Sequence, residues 1–166
     1  MTRVLIGGVG YRWMGDGSFG LAVTDLLAQE AWPADVEISD LGYGALYVSL
    51  DLLDKQPPLD RLILIAATVR DRAPGALSVT RWQNTTPESL DEVQARVREA
   101  GAGVIDLDHL LSIASHFSAL PDDVICIELE PVELTGRDGL SEVAAELLPR
   151  ACALARDAAA DEVMAQ

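Results

Sequence analysis

The chain has 166 residues, 49% of them hydrophobic, with 12 Lys and Arg against 27 Asp and Glu for a net charge of −15. This is the size of one domain with enough apolar material for a core, so global disorder is excluded and a single domain over residues 1–166 is expected. Nucleic-acid binding through a basic face is excluded too, because neutralising phosphates needs clustered cations that this composition does not supply.

No apolar run approaches the ~20 residues needed to cross a bilayer, so no membrane insertion is expected. The opening Met-Thr-Arg, followed by Val4, Leu5 and Ile6, meets glycine too soon for a signal peptide. Cys126 and Cys152 lack C-x-x-C spacing and read as reduced thiols of a cytoplasmic protein.

In chain order, Arg3 to Ile6 is a short apolar run that stops at Gly7-Gly8. Phe19, Ala22, Val23, Leu26 and Leu27 recur at helical spacing, with Ser18 or Asp16 available as a cap. Val36-Glu37-Ile38 alternates like a half-buried strand, and Tyr47, Leu50 and Leu53 with Asp51 and Asp54 predict an amphipathic helix ending before Pro57-Pro58. Leu62 to Ala67 is continuously apolar, as expected of a central strand buried on both faces. Ala73-Pro74-Gly75 turns the chain into an alternating segment from Leu77 to Trp82.

Thr86-Pro87-Glu88 has the composition of a helix start, followed by Leu90, Val93 and Val97, a Glu92–Arg96 pair and a stop near Gly101. Asp106 or Asp108 is placed to cap a helix through Leu110, Leu111 and Ala114. Val124 to Leu129 is strand-like. Leu140, Val143, Ala144, Leu147, Leu148, Ala151, Leu154 and Ala155 form a helical apolar stripe behind Gly139, with Ser141 near its cap; Leu147→Ala would cost ~2–5 kcal/mol if that leucine is fully buried. The alternation of strands and helices predicts an α/β three-layer sandwich, its mostly parallel, twisted sheet of about five strands covered by helices on both faces. Ligands of such sheets sit beyond the carboxyl ends of the strands.

Gly8-Val9-Gly10 with Gly15 is not a dinucleotide fingerprint, because Trp13 stands where the third glycine belongs. No Gly-x-Ser-x-Gly elbow occurs, and His109 and His116, seven apart on one helix face, read as surface or partly buried residues before a catalytic pair. The two cysteines read as small core residues. Asp16, Asp40, Asp71, Asp106, Asp108, Glu128, Glu130 and Glu133 fall in or beside connecting loops, where a solvated surface is the favoured reading over a metal cluster.

Four segments nevertheless carry a shared pattern: Val4 to Gly10 through Gly15-Asp16-Gly17-Ser18-Phe19-Gly20; Asp40-Leu41-Gly42; Leu62 to Ala67 with Ala73-Pro74-Gly75; and Glu130-Pro131 with Gly139-Leu140-Ser141. In that order they resemble the maturation endopeptidases of nickel–iron hydrogenases, which trim a C-terminal extension from the large-subunit precursor. The resemblance implies a three-layer α/β sandwich, a large-subunit partner, and a metal held by a carboxylate in the opening loop, an aspartate at the end of the central strand and a later histidine. Here those positions fall on Gly17, Ala66 and the stretch Ala102-Gly103-Val104, and the family's asparagine after the second loop glycine is replaced by Tyr11.

Neither Gly17 nor Ala66 offers a side-chain donor, so no resident cofactor is expected, and nickel would enter only with the precursor. Two functions follow from the resemblance. One is an endopeptidase using displaced groups such as Asp16, Asp71 and His109. The other is a non-catalytic assembly factor that keeps the docking surface, which the missing donors favour. An unrelated small-molecule-binding α/β domain is the third reading. Candidate partner-binding residues are Trp13, Met14, Asp16, Asp40, Asp71 and His109. Tyr11, Arg12, Trp13 and Met14 form a run rich in interface-prone residues, with Trp13 expected either as an exposed docking group or as a plug for the space left by the metal ligands.

Overall fold

The computed structural model describes residues 2–84 and 88–160. The strands are β1 (Val4–Gly8), β2 (Val36–Asp40), β3 (Arg61–Ala67), β4 (Leu77–Arg81) and β5 (Asp123–Leu129). The helices are α1 (Phe19–Leu27), α2 (Ala45–Leu53), α3 (Leu90–Gly101), α4 (Leu107–His116) and α5 (Glu142–Ala159). The strands form one sheet in the order β2-β1-β3-β5-β4, parallel except for the β4–β5 pair. This is the expected sandwich, with β3 at its centre.

Alternation along the strands divides the core. Leu5, Leu62, Leu64, Ala66, Val124 and Cys126 face α2 and α4, while Val4, Ile6, Ile63, Ile65, Ile125 and Ile127 face α1 and α5. The two cysteines are buried, and burial pushes the Cys126 thiol up to about 12, so both are packing residues. Gly20 lets α1 settle on the sheet, since a Cβ there would stand 1.9 Å from the Ile65 carbonyl oxygen. No helix among the described residues is long and apolar enough to cross a membrane.

Several local expectations are corrected. In α2 the buried side is Ala45, Val48, Ser49 and Leu52, while Tyr47, Leu50 and Leu53 face outward. The helix is apolar on both sides, and the face with the smaller residues makes the closer approach. In α5 the seam consists of Ala144, Ala151, Cys152, Ala155 and Ala158. Leu147 is only half-buried and Val143 is exposed, so the cost of Leu147→Ala falls below the fully buried range. Ser141 caps α5 as expected, accepting from the Ala144 amide at 3.2 Å.

The cap of α3 is Ser89, which forms a capping box with Glu92; Thr86 and Pro87 lie outside the described residues. Because the Glu92 carboxylate accepts from the Ser89 amide at 2.6 Å, Arg96 pairs with Glu88 at 2.8 Å instead. Of the two aspartates offered for α4, Asp106 is the cap, accepting from the His109 amide at 2.8 Å.

Candidate functional site

The parallel sheet sends the loops after β1, β3 and β5 to one edge, where the opening loop meets the loop between β5 and α5. Gly15 turns with φ of +54°, in the left-handed region that suits glycine. Its amide donates to the Arg137 carbonyl at 3.0 Å, and the Asp16 amide donates to the Glu133 carbonyl at 2.8 Å.

The Asp16 side chain completes this seam. Its Oδ2 accepts from the Val132 amide at 2.8 Å, the Glu133 amide at 3.1 Å and the Ser141 hydroxyl at 2.9 Å, and its Oδ1 accepts from the Ser141 amide at 2.8 Å. Asp16 is fully buried. Burial raises its pKa, but the hydrogen bonds from Ser141, Val132 and Glu133 together outweigh burial and hold it below the ordinary value. It therefore caps no helix: Ser18 precedes α1 and makes no side-chain cap bond, its hydroxyl donating to the Gly15 carbonyl instead.

The other candidates are spread around this seam. Trp13 is 68% exposed and Met14 37%, which overturns the reading of Trp13 as a plug. Met14 and Leu134 both border Gly17, and Val132 and Leu134 are exposed, so the two loops present one apolar surface. Arg12 bridges Asp25 at 2.8 Å and Asp40 at 2.9 Å, bringing Asp40 to the opening loop. Asp71 is exposed in the loop after β3.

His109 is buried on α4 between two acids, with Nδ1 at 2.7 Å from Asp106 Oδ1 and Nε2 at 2.5 Å from Glu99 Oε2. Burial lowers its pKa, but the bonds to Glu99 and Asp106 prevail and raise it, favouring the imidazolium. His116 is exposed and meets Phe117 edge-on. Asp16, Asp71 and His109 do not converge, and among the described residues no group of three or more His, Cys, Asp or Glu is placed to hold a metal.

Two residues outside the predicted set tie the edge together. The Tyr11 hydroxyl donates to the Gly103 carbonyl and accepts from the Ile105 amide at 2.6 Å, joining the opening loop to the stretch before α4. Arg70, in the loop after β3, donates from Nε to Glu128 at 3.0 Å and from its two terminal nitrogens to Asp108 at 2.9 and 2.8 Å. Its amide donates to Glu130 at 2.8 Å. Glu128 and Glu130 are buried, which corrects their reading as solvated loop acids. The signal for Arg70 was its place, a cation just beyond the central strand within reach of acids on two other elements.

A cavity of about 410 Å³, lined in part by Trp82, Glu88, Arg96, Asp108 and Ser112, opens between the end of β4 and helices α3 and α4, so that it shares Asp108 with the Arg70 pair. Glu88 there is already bonded to Arg96 and Ser112.

Solved structures resemble the whole chain. The hydrogenase maturating endopeptidase HybD from E. coli matches with a TM-score of 0.72 at 22% identity, over 98% of this chain and 94% of that one. The hydrogenase 2 maturation peptidase from Thaumarchaeota archaeon SCGC_AB-539-E09 matches with a TM-score of 0.66 at 29% identity, over 95% and 98%. The [NiFe] hydrogenase maturation protease HybD from Thermococcus kodakarensis matches with a TM-score of 0.66 at 17% identity, over 95% and 99%. The chain thus has the fold of the hydrogenase maturation proteases. No protein-family model and no curated protein matches the sequence.

The three places that the resemblance implies as metal ligands do not fit a divalent ion. A Cβ at Gly17 would meet Met14 Cβ at 3.0 Å and Leu134 Cδ2 at 3.6 Å, so that position faces apolar neighbours. Ala66 contributes a buried methyl to the α2/α4 core. Gly103 offers only backbone, and its carbonyl already accepts from Tyr11. A hard or borderline divalent cation needs several side-chain oxygens or nitrogens, and these three positions supply none.

Proposed function

We propose that the protein is a cytoplasmic hydrogenase maturation protease-like protein that binds a nickel–iron hydrogenase large-subunit precursor and does not cleave it by the family's metal-dependent route. The fold supports the partner class. The observation that carries the second half is the donor set: Gly17, Ala66 and the stretch Ala102-Gly103-Val104, none with a side-chain donor, stand where the resemblance implies ligands. The displaced set of Asp16, Asp71 and His109 does not rescue catalysis in this reading. Asp16 spends its lone pairs on the Val132–Ser141 loop, and His109 is clamped by Glu99 and Asp106. Any nickel at the complex is then carried by the precursor.

The docking face in this reading is the joined pair of loops that carries Trp13, Met14, Val132 and Leu134, flanked by Asp40 beside Arg12 and by Asp71 after β3. Exposed Trp and Met on a loop held rigid from below are interface chemistry, because little ordering entropy is lost when a partner seats on them.

Co-expression with a large-subunit precursor, affinity capture and intact mass test both halves. The expected result is a captured complex whose precursor keeps its full mass. Loss of a mass equal to the C-terminal extension would establish an active protease, and absence of any complex would refute the partner.

A further inference from the structure

In the metal-dependent arrangement that the resemblance implies, an ion joins three segments: the opening loop, the end of the central strand and the stretch before α4. The same three segments are joined here by side chains of this chain. Tyr11 crosses from the opening loop to Gly103 and Ile105. Arg70 extends from the loop after β3 to Glu128, the β5 neighbour of Ala66 in the sheet register, and to Asp108 in the first turn of α4.

We propose that Tyr11 and Arg70 replace a resident ion as the cross-link of this crevice, so that its loops hold their arrangement with no divalent metal bound. Glu128 has 7% of its side chain exposed, and losing its cation would leave a buried carboxylate unpaired. The guanidinium therefore stays in place. It is always charged, and its planar fork binds Asp108 through two parallel bonds, which fixes the angle between the β3 loop and α4. The Tyr11 oxygen both donates and accepts, so one phenol satisfies a carbonyl and an amide on the pre-α4 stretch, next to the Gly103 turn at φ of +102°. An incoming ion would find a guanidinium and an already bonded phenol instead of open ligand positions.

The inference rests on the family reading of Gly17, Ala66 and Gly103, but not on the identity of the partner. Its test therefore uses no precursor: amide hydrogen exchange on the full chain, with and without a chelator, and with millimolar nickel or zinc. The expected result is that exchange in the loops after β1 and β3, and at Ile105, is the same in all three conditions. Tyr11→Phe keeps the ring and removes the bond, so exchange at the Ile105 amide should rise by about tenfold, the worth of one ordinary hydrogen bond. Arg70→Gln should speed exchange in the loop after β3 and leave Ile105 unchanged, separating the two cross-links.

Slower exchange on adding nickel or zinc to the unmodified protein, reversed by the chelator, would overturn the proposal by showing that an ion still organises the crevice. Unaltered Ile105 exchange in Tyr11→Phe would overturn the role of the phenol. Failure to capture a precursor would sink the proposed function while leaving both of these readouts intact.

Discussion

Asp16 and His109 are both buried ionisable side chains near the same edge of the sheet, yet the chain satisfies them in opposite ways. Asp16 is an anion surrounded by three backbone amides and one hydroxyl. His109 is a base held between two carboxylates. A chain with 27 acids and 12 Lys and Arg has carboxylates to spare for a buried base, whereas a buried acid competes for scarce cations and is here served by backbone. Asp16 is consequently held by directional hydrogen bonds to neutral groups, and His109 by charge pairs. The two sides should respond oppositely to pH and unequally to salt.

The largest effect is expected at Asp16. Asp16→Ala leaves the Val132, Glu133 and Ser141 amides without their acceptor and removes a charged acceptor from a site with no exposure, so it should cost about 3 kcal/mol or more. Chemical denaturation of the two proteins measures the difference. The pH dependence has a fixed sign: with the folded pKa lowered, this contribution is present above the ordinary value of about 3.9 and is lost as pH falls through the folded value. A variant of unchanged stability that lost only an activity would instead make Asp16 a reactive group and break the contrast with His109.

Much of the frame was legible because the signals were local. The run from Leu62 to Ala67 has no polar residue to place in solvent, so a doubly covered central strand was its natural fate, and the opening glycines with Glu130-Pro131 marked the edge where loops converge. Facing was less legible. In α2 both Tyr47/Leu50/Leu53 and Ala45/Val48/Leu52 repeat at helical spacing, and only the packing partner α4 decides between them. The site was least legible. Asp16 looks like a surface acid until the chain 116 to 125 residues further on supplies its donors, and those donors are mostly backbone, which no side-chain pattern announces. Tyr11 was visible as a departure from the family asparagine, but its partners on the pre-α4 stretch are backbone atoms too.

An intermediate effect is expected at His109. Its folded pKa is raised, so its contribution is fully present below the ordinary value of about 6.5 and is lost as pH rises through the folded value. His109→Gln should therefore destabilise the protein by about 1–2 kcal/mol at pH 5.5, roughly the worth of one charge-assisted bond, and by less under alkaline conditions. Added salt should narrow the gap on this side of the molecule more than it changes the Asp16→Ala cost. Thermal midpoints of both proteins across pH and salt provide the check. A deficit that grows with pH would show that the imidazole is held neutral, and the two sides would then respond to pH alike.

The smallest effect on stability is expected three residues from the largest, on the same loop. Trp13 is 68% exposed, and nothing above it excludes water, so Trp13→Ala should leave the unfolding free energy within about 0.5 kcal/mol of the original. Its consequence is expected in binding instead. If the loops carrying Trp13, Met14, Val132 and Leu134 receive the large-subunit precursor, truncating this exposed indole should weaken the complex by about 2 kcal/mol, near thirtyfold in Kd. The rigidity that Asp16 gives the loop makes this a clean measurement, because the indole is presented on a backbone whose shape does not depend on it. Titration calorimetry with the purified precursor, run beside thermal denaturation, reads both quantities. A fall in the midpoint with unchanged Kd would make Trp13 part of the loop's own packing and move the docking face elsewhere.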